Sequence, residues 1–264
     1  MIIPGKKTLK KRLDEGDILF GTFYKFNNAH LTEMLGYSGF DFIIVDGEHS
    51  IYSYSEMQDT VRTANGVGMS AVVRVPSGLP EHVLHAADLG AQGVMVPGLC
   101  SVADAAAVVD NMRFYPLGHR GFALTTRAAK YTFCDSQEFM DYSNNELLCV
   151  IMVEKLEMIK QLDALCDIPS VDVLFIGPGD LSQEVGKPGQ TGCQEVLDLA
   201  KKITDKGLER GKKIGMFCPT LQDVERAISW GVQFIAYSAD LNMIAQKFRE
   251  SAESLQSLKN NARR

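Results

Sequence analysis

No apolar run in this sequence approaches the ~18 residues needed to span a bilayer. The N-terminal stretch Met1-Ile-Ile-Pro-Gly-Lys-Lys7 likewise lacks the apolar core of a signal peptide. A basic excess is also missing. Lysine and arginine total 27 against 33 aspartates and glutamates, a net charge of −6. That excludes a general nucleic-acid binder, and the one basic cluster, Arg263-Arg264, reads as a solvated end. Cysteine has no pattern: Cys100, Cys134, Cys149, Cys166, Cys193 and Cys218 contain no Cys-x-x-Cys pair. Neither a zinc site nor a disulfide scaffold is expected, and the thiols read as reduced ones of a cytoplasmic protein. What is present is ordinary globular material, 45% hydrophobic and 23% charged over 264 residues, enough for a substantial core.

Eight short runs rich in β-branched and other apolar residues recur along the chain. They lie at 18–23, 41–45, 70–74, 93–96, 148–153, 173–176, 213–217 and 233–237. Each is apolar on consecutive positions, as parallel strands buried on both faces are. Amphipathic stretches of helical length separate them, at 54–66, 79–89, 101–112, 155–166, 194–210, 220–230 and 239–257. Ser101 and Asp104 form a capping-box pair. Gly36, Gly90, Gly211 and Gly231 stand where a left-handed residue would end a helix. Eight strand–helix units predict an α/β fold, a (βα)8 TIM barrel forming one domain over 1–264. An open doubly wound sheet is the alternative. It is disfavoured because no G-x-G-x-x-G follows the first strand, and Gly177-Pro178-Gly179 is too short and too late for that fingerprint.

In such a barrel the chemistry sits at the strand C-terminal ends. Here those ends carry Asp46-Gly47-Glu48-His49, Arg74, Glu154 and Gly179-Asp180, after runs that are otherwise apolar. Charged groups placed there cost stability unless they pair or bind something. Glu154 and Asp180, from neighbouring strand ends, form a hard oxygen donor pair suited to Mg²⁺ or Mn²⁺. The bland alternative is that Glu154 caps the next helix and Asp180 caps a loop. His49 is either a general base or a histidine bonded within its loop. His30, His82, His85 and His119 read as structural. Arg74 suits a substrate carboxylate or a developing enolate oxygen, or else pairs with Asp46 or Glu48. The amides around Gly179 and Asp180 could bind an anion. Lys155 follows Glu154, so alternation turns it away from the mouth and a Schiff-base role is disfavoured.

Taken together, Asp46-Gly-Glu-His49, Val73-Arg74-Val-Pro76, Val153-Glu154 and Phe175-Ile-Gly-Pro-Gly-Asp-Leu-Ser182 resemble the HpcH/HpaI group of metal-dependent pyruvate aldolases. Asp88-Leu-Gly-Ala-Gln-Gly-Val-Met-Val-Pro97 and Arg113-Phe-Tyr-Pro-Leu-Gly-His-Arg-Gly121 add to the likeness, which runs from about 8 to 250. The resemblance implies that Glu154 and Asp180 hold a divalent ion, Mg²⁺, Mn²⁺ or Co²⁺. It makes Asp46 and Glu48 outer contacts of that site, with Glu48 holding a water on the metal. Arg74 would meet the keto oxygen, and His49 would be the base, with Asp88 its partner from another subunit. Gly179 and Asp180 would take the pyruvate carboxylate, and Phe122 would line a neighbour's site. It also implies a homohexamer, a trimer of dimers, that exchanges the last helix, about 239–257.

The reaction implied is reversible cleavage of a 4-hydroxy-2-oxo acid to pyruvate and an aldehyde. Two competing readings are an acyl-CoA lyase of malyl- or citramalyl-CoA type and a non-catalytic, metal-dependent keto-acid sensor. The first strand often carries Gly-x-Trp in the group; here it reads Gly21-Thr22-Phe23-Tyr24-Lys25, without the tryptophan, and Lys25 adds a cation near the mouth. Cys218-Pro219-Thr220 stands after the seventh. Both departures are expected to face the aldehyde half of the substrate.

Overall fold

The structure is a computed structural model that describes residues 6–262, so Met1–Gly5 and Arg263-Arg264 lie outside the described residues. The elements run α1 (Leu9–Asp14), β1 (Leu19–Tyr24), α2 (Ala29–Tyr37), β2 (Phe42–Asp46), α3 (Tyr54–Gly66), β3 (Ser70–Arg74), α4 (Pro80–Asp88), β4 (Gly93–Val96) and α5 (Val102–Met112). The second half runs α6 (Ser136–Asn145), β5 (Leu148–Val153), α7 (Leu156–Ile159), α8 (Leu162–Cys166), β6 (Val173–Ile176), α9 (Pro178–Glu184), α10 (Gln194–Glu209), β7 (Lys213–Cys218), α11 (Leu221–Ser229), β8 (Phe234–Ala239) and α12 (Asp240–Asn261). The eight strands pair in parallel, each with the next and β8 with β1, closing the predicted (βα)8 barrel. Among the described residues no helix is long and apolar enough to cross a membrane.

Strand alternation builds two apolar layers. One set of side chains fills the barrel: Leu19 and Phe23, Phe42 and Ile44, Val72, Leu148, Val150 and Met152, Phe175, and Phe234. The α1 helix closes the barrel's N-terminal end with Leu9 and Leu13. The other set, including Ile43, Val45, Val73, Val94, Ile151, Leu174, Ile214 and Ile235, packs outward under the helices. The interior is crowded enough to dictate residue size. A Cβ on Gly215 would come within 2.5 Å of the Phe175 ring, so only glycine fits opposite that aromatic.

The sequence reading and the structure differ in a few places, each with a local cause. Gly36 lies inside α2, and Gly39, with φ +93°, takes the left-handed position three residues later. The stretch read as one helix over 155–166 is two, because Lys160 and Gln161 close the first turn and start a second. Four short helices, α1, α2, α6 and α9, were not separated from their surroundings by periodicity. The capping box of Ser101 and Asp104 is present as expected, and Gly90, Gly211 and Gly231 all have positive φ.

Candidate active site

The same alternation that fills the barrel continues one step past the core at the C-terminal ends. The next inward positions are Lys25 on β1, Asp46 on β2, Arg74 on β3, Glu154 on β5, Gly177 on β6 and Phe217 on β7. Lys25, Arg74, Gly177 and Phe217, together with Phe23, His49, Met152, Phe175, Pro178, Gly179, Asp180, Ala239 and Asn242, line a pocket of about 210 Å³. Hydrophobic strand cores thus end in a ring of charge over one cavity, the arrangement expected of a barrel enzyme.

Arg74 and Asp46 are register partners on β3 and β2, so their side chains stand next to each other. Arg74 Nε donates to Asp46 Oδ1 at 2.9 Å and Nη2 to Oδ2 at 2.7 Å, a buried bidentate pair. Arg74 Nη1 lies 2.9 Å from Glu48 Oε2, and the guanidinium stacks over Phe23 at 4.7 Å from the ring centroid. The salt bridges that were the bland alternative for Arg74 are therefore present. They fix the guanidinium rather than consume it: Nη1 also reaches Met152 Sδ at 4.0 Å, a weak acceptor, and one Nη2 N–H of the five-donor fork is left without a partner. Burial by itself would push the Asp46 carboxyl up. The hydrogen bonds and charge of Arg74, with Lys25, overcome it and hold that carboxyl down at about 2. Asp46 Oδ1 also accepts the amides of Glu48 and His49, so one buried carboxylate sets both the arginine and the loop carrying His49.

Glu154 is 3% exposed. Its Oε1 accepts the Gly98 amide at 2.7 Å, while its Oε2 is buried without a hydrogen-bond partner. Burial, and after it the charge of Asp180, raises this carboxyl to about 7. Asp180 sits in the first turn of α9 rather than capping a loop, and Glu154 makes no helix cap. A Cβ on Gly177 would lie 2.8 Å from Glu154 Oε2 and 3.6 Å from Asp180 Oδ2. The two carboxylates therefore converge on space that exists only because residue 177 is glycine. Among the described residues no group of three or more histidine, cysteine or carboxylate side chains is placed to hold a metal. A buried, unpartnered oxygen beside a second carboxylate fits a hard divalent ion that completes its shell with water and substrate.

His49 is exposed at the rim, its Nε2 3.7 Å from Glu48 Oε2. Burial raises the Glu48 carboxyl. Lys155 points away from the pocket to Glu184 at 3.2 Å, as alternation required. His119 pairs with Asp110 and His82 with Ser77, both away from the pocket.

A match to the family described as HpcH/HpaI aldolase/citrate lyase covers residues 19–246, from β1 into α12. The chain belongs to that family. Relatives of this HpcH/HpaI member include the 2-dehydro-3,6-dideoxy-6-sulfogluconate aldolase of Pseudomonas putida. It is 30% identical over 230 residues, 87% of this chain and 89% of its own. The hydroxypyruvate/pyruvate aldolase of Roseovarius nubinhibens is 29% identical over 244 residues, 92% of this chain and 95% of its own. The crystal structure of an HpcH/HpaI aldolase from Desulfitobacterium hafniense superposes with a TM-score of 0.90 at 26% identity, covering 95% of this chain and 97% of that one. These relatives are aldolases, which are carbon–carbon lyases, and this HpcH/HpaI chain is an enzyme of that class.

Two expected site residues are not brought to the pocket within one chain. Asp88 ends α4 at the opposite, N-terminal end of the barrel, where its Oδ1 accepts from Arg120 Nη2 at 2.6 Å. Phe122, half-exposed, packs against Phe114 and Phe139 at that same end. Tyr24 is buried, with its hydroxyl bonded to Asn28 and Thr32, so it does not face substrate. Cys218 corrects the expectation for the seventh strand. It points outward into the helix layer, and its neighbour Phe217 faces the cavity. Phe23, in the first-strand stretch expected to face substrate, does line the pocket, but the reading of the residues missed Met152 and Phe175, whose even spacing from Glu154 and Gly177 would have placed them inward. Asn242 was missed too, since it lies on a helix whose distance from the pocket no local pattern reveals.

Proposed function

We propose that this carbon–carbon lyase reversibly cleaves a 4-hydroxy-2-oxo acid to pyruvate and an aldehyde, with a divalent ion, Mg²⁺, Mn²⁺ or Co²⁺, held by Glu154 and Asp180. The observation that carries the reading is the unpartnered Glu154 Oε2 converging with Asp180 above Gly177 in the pocket that Arg74 also lines. A bound divalent ion supplies Lewis-acid stabilisation to the oxygens of a 2-oxo acid.

The chain's own residues do the rest. The Gly98 amide aims Glu154 by holding one of its oxygens, leaving the other free. The first-turn amides of Gly179 and Asp180 have no carbonyl partner within α9 and suit the pyruvate carboxylate. Arg74, locked by Asp46 and Glu48, presents its remaining N–H where negative charge grows on the keto oxygen as the carbon–carbon bond opens. His49 takes the proton of the 4-hydroxyl, a general-base effect of roughly 10²–10⁴-fold. Asp88 and Phe122 serve a neighbouring subunit's site, in a homohexamer held in part by exchange of α12. The exposed Leu241, Phe248, Leu255 and Leu258 on that helix support the exchange. All six cysteines are free thiols, which supports a cytoplasmic setting.

The acyl-CoA reading would need several cations for phosphates at the mouth, and among the described residues Lys25 is the one lysine that lines the pocket, Lys155 being turned to Glu184. The sensor reading leaves the rim histidine without a task. The reading is tested by screening 4-hydroxy-2-oxo acids for pyruvate release. Turnover of at least one of them is expected. Tight binding of 2-oxo acids with no turnover of any would instead support the sensor.

A further inference from the structure

Glu154 serves a cation only while its side chain is aimed, and one backbone amide does the aiming. The Gly98 N–H donates to Glu154 Oε1 at 2.7 Å, which leaves Oε2 without a partner. Gly98 lies in the loop from β4 to α5, with a left-handed φ of +70°. It is exposed, and a Cβ built on it would meet nothing within 4 Å. No packing around Gly98 itself holds its amide in place. Its position is inherited from the residues on either side, buried Pro97 and Leu99 and then Cys100.

Cys100 is pinned by both of its backbone polar groups. Its amide donates to Asp104 Oδ2 at 3.3 Å, beside the capping box of α5. Its carbonyl accepts Gln161 Nε2 at 3.2 Å. Gln161 Oε1 in turn accepts the Val102 amide at 3.3 Å. These bonds join residues 61 and 59 apart in the chain. Nε2 also donates to the Glu157 carbonyl at 3.0 Å, inside α7, which starts two residues after Glu154. One carboxamide thus ties the loop that supplies the amide to the element that follows the carboxylate. Gln161 does not cap its own helix, since its side chain bonds none of the first amides of α8. The break between α7 and α8 falls on this same residue, with φ −112° and ψ 18°.

We propose that Gln161 is a positioning residue for Glu154. It acts through the β4–α5 loop, keeping the Gly98 amide on Oε1 so that Oε2 stays turned to the space shared with Asp180. The inference rests on the metal-dependent aldolase reading and extends that site to a side chain outside the pocket.

The test is Gln161→Met, which keeps the length of the side chain and removes both hydrogen-bonding ends. Two quantities are read on the metal-free protein. One is Mn²⁺ affinity by calorimetric titration. The other is amide hydrogen exchange in residues 97–101 and 177–181, followed by mass spectrometry. Affinity should fall at least threefold, roughly the scale of a lost hydrogen bond. Exchange in 97–101 should quicken at least threefold, while 177–181, which carries Asp180, exchanges as in the native chain. A general loss of packing would loosen both segments, so the contrast separates positioning from a merely structural role. Gln161→Asn, one methylene shorter and unable to span the two loops, should show the same changes and keeps the proposal testable if Gln161→Met does not fold. A fall in affinity of less than threefold, or equal loosening of both segments, overturns the assignment. If the native chain binds Mn²⁺ and the variants bind it equally well, the role of Gln161 is wrong and the metal site stands. If the native chain binds no Mn²⁺, the metal site falls and this inference falls with it.

Discussion

Among single residues, the proposed reaction divides its chemistry between Arg74 and His49, and the division can be measured. In the proposed reaction Arg74 meets the oxygen that becomes negative in every reaction passing through the pyruvate enolate. Arg74→Ala should therefore lower both aldol cleavage and oxaloacetate decarboxylation about a hundredfold. Arg74→Lys should recover only part, since a point charge cannot bond Asp46 in two places while still reaching the pocket. His49→Ala should cripple cleavage but cost decarboxylation far less, because oxaloacetate has no hydroxyl proton to remove. Equal losses in the two reactions for both variants would contradict the assignment. Glu154 makes a second residue-scale prediction. Its carboxyl, raised to about 7, binds a proton in the folded metal-free protein at pH values where the unfolded chain has already lost it. Stability from that proton is fully present below the ordinary carboxylate range and is lost as pH rises through about 7. A divalent ion must displace the same proton. Melting curves should thus show Mn²⁺ stabilising the protein more at pH 8 than at pH 5.5. A metal effect independent of pH would show that Glu154 is not a ligand.

At the scale of elements, the β6–α9 junction is the most exacting part of the site. A Cβ at residue 177 would press on Glu154 Oε2 and Met152 Cε, at 2.8 and 3.3 Å. Both are mobile ends of side chains, so Gly177→Ala should fold. It should nonetheless weaken metal binding tenfold or more by filling the space between the carboxylates. Calorimetric titration with Mn²⁺ checks this, and unchanged affinity would mean that the ion does not sit there. The elements also show why so much was legible in sequence. Consecutive apolar runs gave all eight strands to within two residues, because strands buried on both faces leave no ambiguity of type. Charged residues stood out at their ends because the runs themselves are apolar. What stayed hidden depended on parity or on distance. Phe217 and not Cys218 faces the cavity because of which strand face is inward. Nothing local to α12 reveals that Asn242 reaches a pocket built from β1 to β8.

For the whole molecule, α12 is the unfinished part. It runs 22 residues, yet only Asp240 is buried. Phe248, Leu255 and Leu258 are each about two-thirds exposed, at 70%, 66% and 65%. An apolar stripe this open calls for a partner surface. Asp88 and Phe122, lying at the far end of the barrel from the pocket, can reach a site only if it belongs to another subunit. Sedimentation velocity should show a hexamer for the native chain. The double substitution F248D/L255D should shift it to smaller species and cut cleavage activity along with assembly. A monomeric native protein with full activity would contradict both the exchange of α12 and the role of Asp88.

Cleavage as proposed depends on an ion held by two carboxylates at the ends of β5 and β6. The most direct test is pyruvate release from the best substrate after exhaustive chelation, followed by titration with Mg²⁺, Mn²⁺ or Co²⁺, in the native enzyme and in Glu154→Gln and Asp180→Asn. No release is expected after chelation, with recovery on adding a divalent ion to the native enzyme and little recovery in either variant. Full activity in the chelated native enzyme, with borohydride and pyruvate inactivating it through Lys155, would contradict it.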